Sequence, residues 1–453
     1  MKTFGCLGCK SFLLGLASIT LLSGCTLVPS YHSPFAQNGG FIVYWPYAET
    51  NNQFKLAVKD NIDMKGVVTT AGSKRLAKDG LRAEKDAACL AIARQRNVPI
   101  VGKTTLSEFA LAPSGINRDL GTPPSPLSNS RKLLPGGSSC GSAVAVARGM
   151  ADVAFGTDTA GSIRVPAAWC GVVGLKTTHG LIPLEGVFPI EPEHLDTVGP
   201  MGKDIAHTVL GMDLLQNGFA ALYDAAVAAK PSAQEIRIGR LTLKDTDSKI
   251  DQAVDKALAR TGFQVVPLND GFREKWEQAK KDGNAIAAAG AWISDKRFRR
   301  ALGVAARTRS TIGAGRLAYK TSYNEAVARQ AEWQNTLKEI FSKVDFIALP
   351  TVQTPPKPIP PNLIISFGFL GAGIEARMLA LQNTVAVNFA GNPALALPIP
   401  LHDADVAVTS LQLIGPRLGE APLLNAGRLV EAAVKGEPRG TVKSAGRAVP
   451  NLR

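Results

Sequence analysis

The alternation of apolar and polar positions marks out a series of short strands and helices. Phe54-Lys55-Leu56-Ala57-Val58 alternates at its start and predicts a strand that runs into Lys59. Residues 83–94 place Ala87, Leu90, Ala91 and Ala93 at helical spacing, and Val98-Pro99-Ile100-Val101 has the composition of a short buried strand. The small residues of 142–150 suit a tightly packed helix. Further on, 250–258 predicts a helix and Phe263-Gln264-Val265-Val266-Pro267 a strand. Helices alternating with strands predict an α/β layer architecture, here a single large domain with a mixed sheet between helices on both sides.

One apolar run is of another kind. Residues 12–22 follow Lys2 and Lys10 and are too short to span a bilayer. They end in Leu22-Ser23-Gly24-Cys25, which resembles a bacterial lipoprotein signal. The resemblance implies cleavage before Cys25, lipid on its sulfur, and a lipid-anchored place in the cell envelope; Thr26 points to the outer membrane in a Gram-negative cell. Residues 1–24 are then the signal peptide, and the Ser-, Pro-, Gly- and Asn-rich residues 25–44 a tether. Residues 45–453 are the folded domain.

Composition narrows the function. With 45% hydrophobic and 19% charged residues the chain reads as globular. Cys89, Cys140 and Cys170 remain beside Cys25 once Cys6 and Cys9 leave with the signal, an odd number that makes no disulfide framework. Neither these cysteines nor the five histidines have metal-ligand spacing, and no phosphate loop is present, so no metal or cofactor is expected. The net charge of +14 is spread along the chain. Its one basic cluster, Lys296-Arg297-Phe298-Arg299-Arg300, reads as a solvated helix face; no nucleic-acid module is seen, and weak attraction to anionic membranes is preferred.

The chemistry gathers in two Gly/Ser clusters. Pro135-Gly136-Gly137-Ser138-Ser139-Cys140-Gly141-Ser142 is followed by Gly156-Thr157-Asp158-Thr159-Ala160-Gly161-Ser162-Ile163-Arg164-Val165-Pro166-Ala167. Glycines let backbone N–H groups stand beside a serine, as acyl transfer requires. The apolar run between them argues against a flexible linker. At these residues the chain resembles the amidase signature family of serine hydrolases, departing from its loops at Cys140 and Ala160, where glycine is usual. The resemblance continues in Lys59-Asp60-Asn61, in 102–109, in His194-Leu195-Asp196-Thr197-Val198-Gly199-Pro200-Met201, in 345–351, in 388–394 and in 411–415.

That resemblance implies hydrolysis of a carbon–nitrogen amide bond in a small-molecule substrate. It makes Ser162 the nucleophile, Ser138 the proton relay after a cis peptide bond, and Lys59 the base. Lys59 must then be neutral, so its pKa has to fall by burial. Backbone N–H groups of Thr159, Ala160, Gly161 and Ser162 are the oxyanion donors. Asp158 and Arg164 read as scaffold, singly or as a pair. Glu108 and Lys103 are read as orienting their loop, Cys140 as a packed small residue, and Trp292, Phe298 and Tyr319 as core. His179 and His194 invite a Ser-His-Asp arrangement, set aside for the better-matched lysine and serines. Rival functions are an amidotransferase component passing ammonia to a partner and an inactive envelope binding protein; ester cleavage by the same residues stays open. Substrate identity and oligomeric state are not encoded in any motif.

Overall fold

The computed structural model describes residues 39–45, 54–230, 232–361, 373, 375–379, 382–403 and 406–435. The signal peptide, Cys25 and the tether up to residue 38 lie outside the described residues. Eleven strands form one sheet: β1 (Phe41–Tyr44), β2 (Leu56–Lys59), β3 (Ile100–Thr104), β4 (Val153–Asp158), β5 (Val173–Lys176), β6 (Thr197–Gly202), β7 (Arg237–Arg240), β8 (Gln264–Pro267), β9 (Phe346–Pro350), β10 (Ala394–Pro400) and β11 (Val408–Ile414). Their order is β1-β3-β2-β4-β6-β5-β10-β11-β9-β7-β8. β2 runs parallel to β3 and β4, while β4, β6, β5, β10, β11 and β9 pair antiparallel in turn, so the sheet is mixed.

The two-residue period of the strands explains how this sheet is covered. On β2, Leu56 and Val58 enter one apolar cluster and Ala57 another; on β4, Val153 and Phe155 part from Ala154 in the same way. The first cluster is closed by helices Ile205–Asp213, Ser248–Thr261 and Glu420–Val434, which contribute Met212, Val254 and Leu424. The second is closed by helices Cys140–Ala147 and Arg164–Cys170, with Val144, Ala145 and Ala167. Small residues dominate that side. They let helix Cys140–Ala147 lie close on β2 and β4, and helix Arg164–Cys170 on β5 and β10.

The structure revises the pattern in three places. Residues 83–94 are not one helix: Ala83 bridges Lys65 and Arg82 bridges Val68, so helical structure starts only at Ala88–Leu90 and Ala91–Gln95. Tertiary acceptors, Asp63 O and Glu185 O, take the N–H groups of Ala87 and Ala88 that a longer helix would have used. The tether ends sooner than residue 44, since Phe41–Tyr44 are buried as edge strand β1 on β3. Tyr319 is 45% exposed and not core, whereas Trp292 and Phe298 pack, partly buried, beside Phe109.

Candidate active site

The site forms where β2 and β4 end side by side. Their parallel register places Val58 opposite Phe155, so Lys59 follows beside the end of β4, where its side chain reaches Thr157. The Lys59 ammonium nitrogen lies 2.7 Å from Ser138 Oγ and 2.7 Å from Thr157 Oγ1. Asn61 Nδ2 donates to the same Thr157 hydroxyl at 3.1 Å. Lys59 and Ser138 are fully buried. Burial lowers the Lys59 pKa from 10.5 to about 7, against the opposing pull of Cys140, Asp158 and Asp196. A neutral amine accepts a hydrogen bond through its lone pair, and a hydroxyl is a partner able to donate one.

The second loop is built on Asp158. Its carboxylate pairs with Arg164 at 2.9 Å and accepts from the N–H groups of Gly161 (2.8 Å) and Ile163 (3.0 Å) and from Asn388 Nδ2 (2.8 Å). Arg164 in turn donates to Thr384 O and to Oε1 of Gln412, and also bonds Asn388 Oδ1. The Arg164 charge beside it holds the Asp158 carboxyl well below the usual carboxylate range, in spite of complete burial. The scaffold pair read from the sequence is therefore present. Breaking one side of such a pair leaves an uncompensated buried charge, which costs ~3–5 kcal/mol.

Ser162 is half-buried at the surface of this loop, next to half-buried Ala160. Its carbonyl accepts from Ser139 N at 3.2 Å, which ties the two Gly/Ser clusters together. The Gly137–Ser138 peptide bond is cis, as the family resemblance implies. Of the expected donors, the Gly161 N–H already donates to Asp158 Oδ1 at 2.8 Å. Among the described residues, the N–H groups of Thr159, Ala160 and Ser162 have no acceptor. Gly161 has φ +131°, and a Cβ there would run into Thr384 Oγ1. Ala160 has no positive φ, so its methyl group is accommodated where the family usually carries glycine.

Residues around these loops fix them. Asp196 accepts from Thr159 Oγ1 at 2.6 Å and from Ile190 N and Glu191 N, both at 2.9 Å. Lys103 and Glu108 do not meet. Lys103 pairs with Asp60 at 3.0 Å, while Glu108 accepts from Ser73 Oγ (2.7 Å) and Ala305 N (3.0 Å); each orients a loop. Cys140 is fully buried, and desolvation pushes its thiol up to about 12, in keeping with a packed small residue. Among the described residues Cys89, Cys140 and Cys170 are all free thiols.

His179 and His194 stand elsewhere. They line a cavity of about 810 Å³ with Asn392 and Arg417, and its lining includes none of Lys59, Ser138 and Ser162. His179 Nε2 is 3.1 Å from Pro192 O. Glu191, Glu193 and His194 bring potential metal-ligating atoms within 4.8 Å of one another, but Glu191 already accepts from Tyr323 OH and His194 N. The residues missed by sequence reasoning are Thr157, as second hydroxyl on Lys59, and Thr384, whose Oγ1 donates to Ala160 O at 2.5 Å. Thr157 stands inside the second Gly/Ser cluster, one residue before Asp158; only strand register reveals that it faces Lys59.

Comparison with known proteins gives the same answer at the level of family. The family model described as Amidase matches residues 55–424. The chain is 34% identical over 394 residues to 2-amino-5-chloromuconic acid deaminase of Comamonas testosteroni, covering 84% of this chain and 81% of that protein. It is 30% identical to a glutamyl-tRNA(Gln) amidotransferase subunit of Halobacterium salinarum, covering 83% of this chain and 94% of the relative. Among solved structures, a chain from a vestigial protein complex that bears on the evolutionary origins of an s-triazine catabolic enzyme superposes with a TM-score of 0.73 at 26% identity, covering 88% of this chain and 86% of its own. Its mixed sheet, its paired Gly/Ser loops and the family match along most of its length make this chain a member of the amidase signature family.

Proposed function

We propose that the protein is an amidase that cleaves a carbon–nitrogen amide bond through an acyl-enzyme on Ser162. The observation that carries this reading is the fully buried Lys59, with a pKa near 7, 2.7 Å from the Ser138 hydroxyl. Neutral Lys59 accepts the Ser138 proton as Ser138 accepts that of Ser162. Ser162 Oγ attacks the carbonyl carbon, and the N–H groups of Thr159, Ala160 and Ser162 receive the negative oxygen. The proton returns through Ser138 to the leaving nitrogen, the carbon–nitrogen bond breaks, and water then repeats the sequence on the ester. Ser162→Ala is expected to lower turnover by roughly 10⁶-fold and to abolish labelling by a serine-directed fluorophosphonate. Peptide masses from the trapped acyl-enzyme decide the assignment: an adduct on Ser138 or Cys140, with Ser162 unmodified, rules it out.

Likeness to one component of an amidotransferase supports a second reading, in which the ammonia released is handed to a partner protein. Turnover of simple amides by the purified chain alone, with ammonia free in solution, favours hydrolysis. Release that starts only on addition of a partner favours transfer.

The motif Leu22-Ser23-Gly24-Cys25 supports a lipid anchor and an envelope location. Cys25→Ala is expected to leave the chain unprocessed or to shift it from the membrane fraction to the soluble one. Normal processing with unchanged membrane retention counts against the anchor.

A further inference from the structure

Positive charge is concentrated in one segment of the molecule. Arg75, Arg94, Arg96, Lys230, Arg237, Arg240, Lys249, Arg273 and Arg329 each sit against an acidic side chain. Residues 293–321 differ: they hold eight cations and one acid, half of the chain's net charge of +14. The acid, Asp295, is buried, and the cation Arg307 is buried against Glu375 at 2.9 Å. The other seven, Lys296, Arg297, Arg299, Arg300, Arg309, Arg316 and Lys320, are exposed or half-buried, and none pairs with an acid among the described residues.

The same segment is unusually apolar on its outside. Leu302 is 81% exposed, Leu317 67%, Tyr319 45% and Ile293 40%, four of the nine large hydrophobic side chains exposed among the described residues. Packing puts the two halves of the segment together. Helix Asp270–Asp295 lies against helix Ala306–Thr321, close enough that any side chain at Gly315 would strike Ala288 O. The Arg316 guanidinium rests over the Trp292 ring at 5.5 Å, and that of Arg297 over Phe298 at 4.7 Å.

We propose that the face formed by residues 293–321 seats the protein on an anionic lipid surface. A polyanion such as RNA would satisfy the seven unpaired cations but would leave Leu302 and Leu317 in water. A bilayer with anionic headgroups satisfies both, taking the cations at the headgroups and the leucines at the acyl boundary. No described helix is long and apolar enough to cross a membrane, so the contact is peripheral. The basic cluster that the sequence reads as a solvated helix face thus becomes the lipid-facing one. It acts alongside the expected anchor at Cys25 and does not depend on it.

Flotation tests this with the full chain carrying Cys25→Ala, mixed with vesicles of phosphatidylcholine alone or with a quarter of phosphatidylglycerol. Wild-type surface residues should bind the anionic vesicles, and binding should fall steeply with salt. Charge reversal at Lys296, Arg297 and Arg300 should weaken binding by about tenfold or more. Leu302→Ser with Leu317→Ser should weaken it by several-fold at unchanged charge. Equal charge reversal at Lys244, Lys256 and Lys343, exposed lysines outside the segment, should change it less than twofold. Amide turnover in solution reports that each variant is folded. Equal losses in the two charge sets, unaltered binding in the leucine pair, or equal binding to neutral vesicles each overturn the proposal. So does tighter binding to duplex RNA than to the anionic vesicles.

Discussion

Two lysines end strands of the same sheet, and comparing them shows what suits one of them to the proposed role of base. Lys59 closes β2 and Lys176 closes β5; both are fully buried and burial lowers both to about 7. Their partners differ. Lys59 meets the hydroxyls of Ser138 and Thr157, whereas Lys176 donates to two backbone carbonyls, Thr177 O and Asn392 O, both at 2.8 Å. A carbonyl accepts and has nothing to give, so Lys176 has no proton to collect. A hydroxyl can give its proton to a neutral amine. A lowered pKa alone therefore does not single out a candidate base; a partner that can lose a proton has to accompany it.

Removing Lys59 gives the largest effect on this contrast. Lys59→Ala should cost about 10²–10⁴-fold in kcat/KM, the usual worth of general acid–base assistance. Wild-type activity should fall as the pH drops through about 7, where Lys59 gains a proton, and this acid limb should be missing in the variant. A wild-type limb that survives unchanged in Lys59→Ala would break the comparison.

Next comes Lys176→Met, which acts on stability. It leaves two buried carbonyls without their donor, and each costs ~1–3 kcal/mol, to be read as a lower urea midpoint. Both lysines bind fewer protons folded than unfolded between about pH 7 and 10.5, so stability rises with pH across that window. Lys176→Met should flatten part of that rise while the acid limb of activity stays in place.

The finest test is Thr157→Val. A lost hydrogen bond worth ~0.5–1.5 kcal/mol should lower kcat/KM by roughly two- to tenfold. The same hydroxyl supports the charged amine, so its loss should move the acid limb to lower pH, measured from the pH profile of the variant. A shift to higher pH would mean that Thr157 favours the neutral form.

The reach of the sequence can be judged residue by residue. Lys59, Ser138 and Ser162 were singled out because the segments around them resemble a family, and the fold brings Lys59 and Ser138 into contact. The Asp158–Arg164 pair was legible too, being six residues apart on one turn. That the Gly161 N–H donates to Asp158 was not legible, because the direction of one N–H depends on where that carboxylate points. The 83–94 helix was misjudged because extended bridges at Arg82 and Ala83 outweigh local spacing.

The sequence by itself determined the two-residue alternation that splits β2 and β4 between two cores, the small residues that let helices close on them, and the glycine at 161, where a side chain has no room. These follow from volume and backbone freedom, which each residue carries with it. Tertiary structure alone decided that Lys59 is buried beside hydroxyls and Lys176 beside carbonyls. It likewise decided that seven cations of residues 293–321 stand at the surface without an acid beside them while Arg307 is buried against Glu375. Desolvation and ion pairing depend on what the rest of the chain places around a charge, and no local run of residues contains that information.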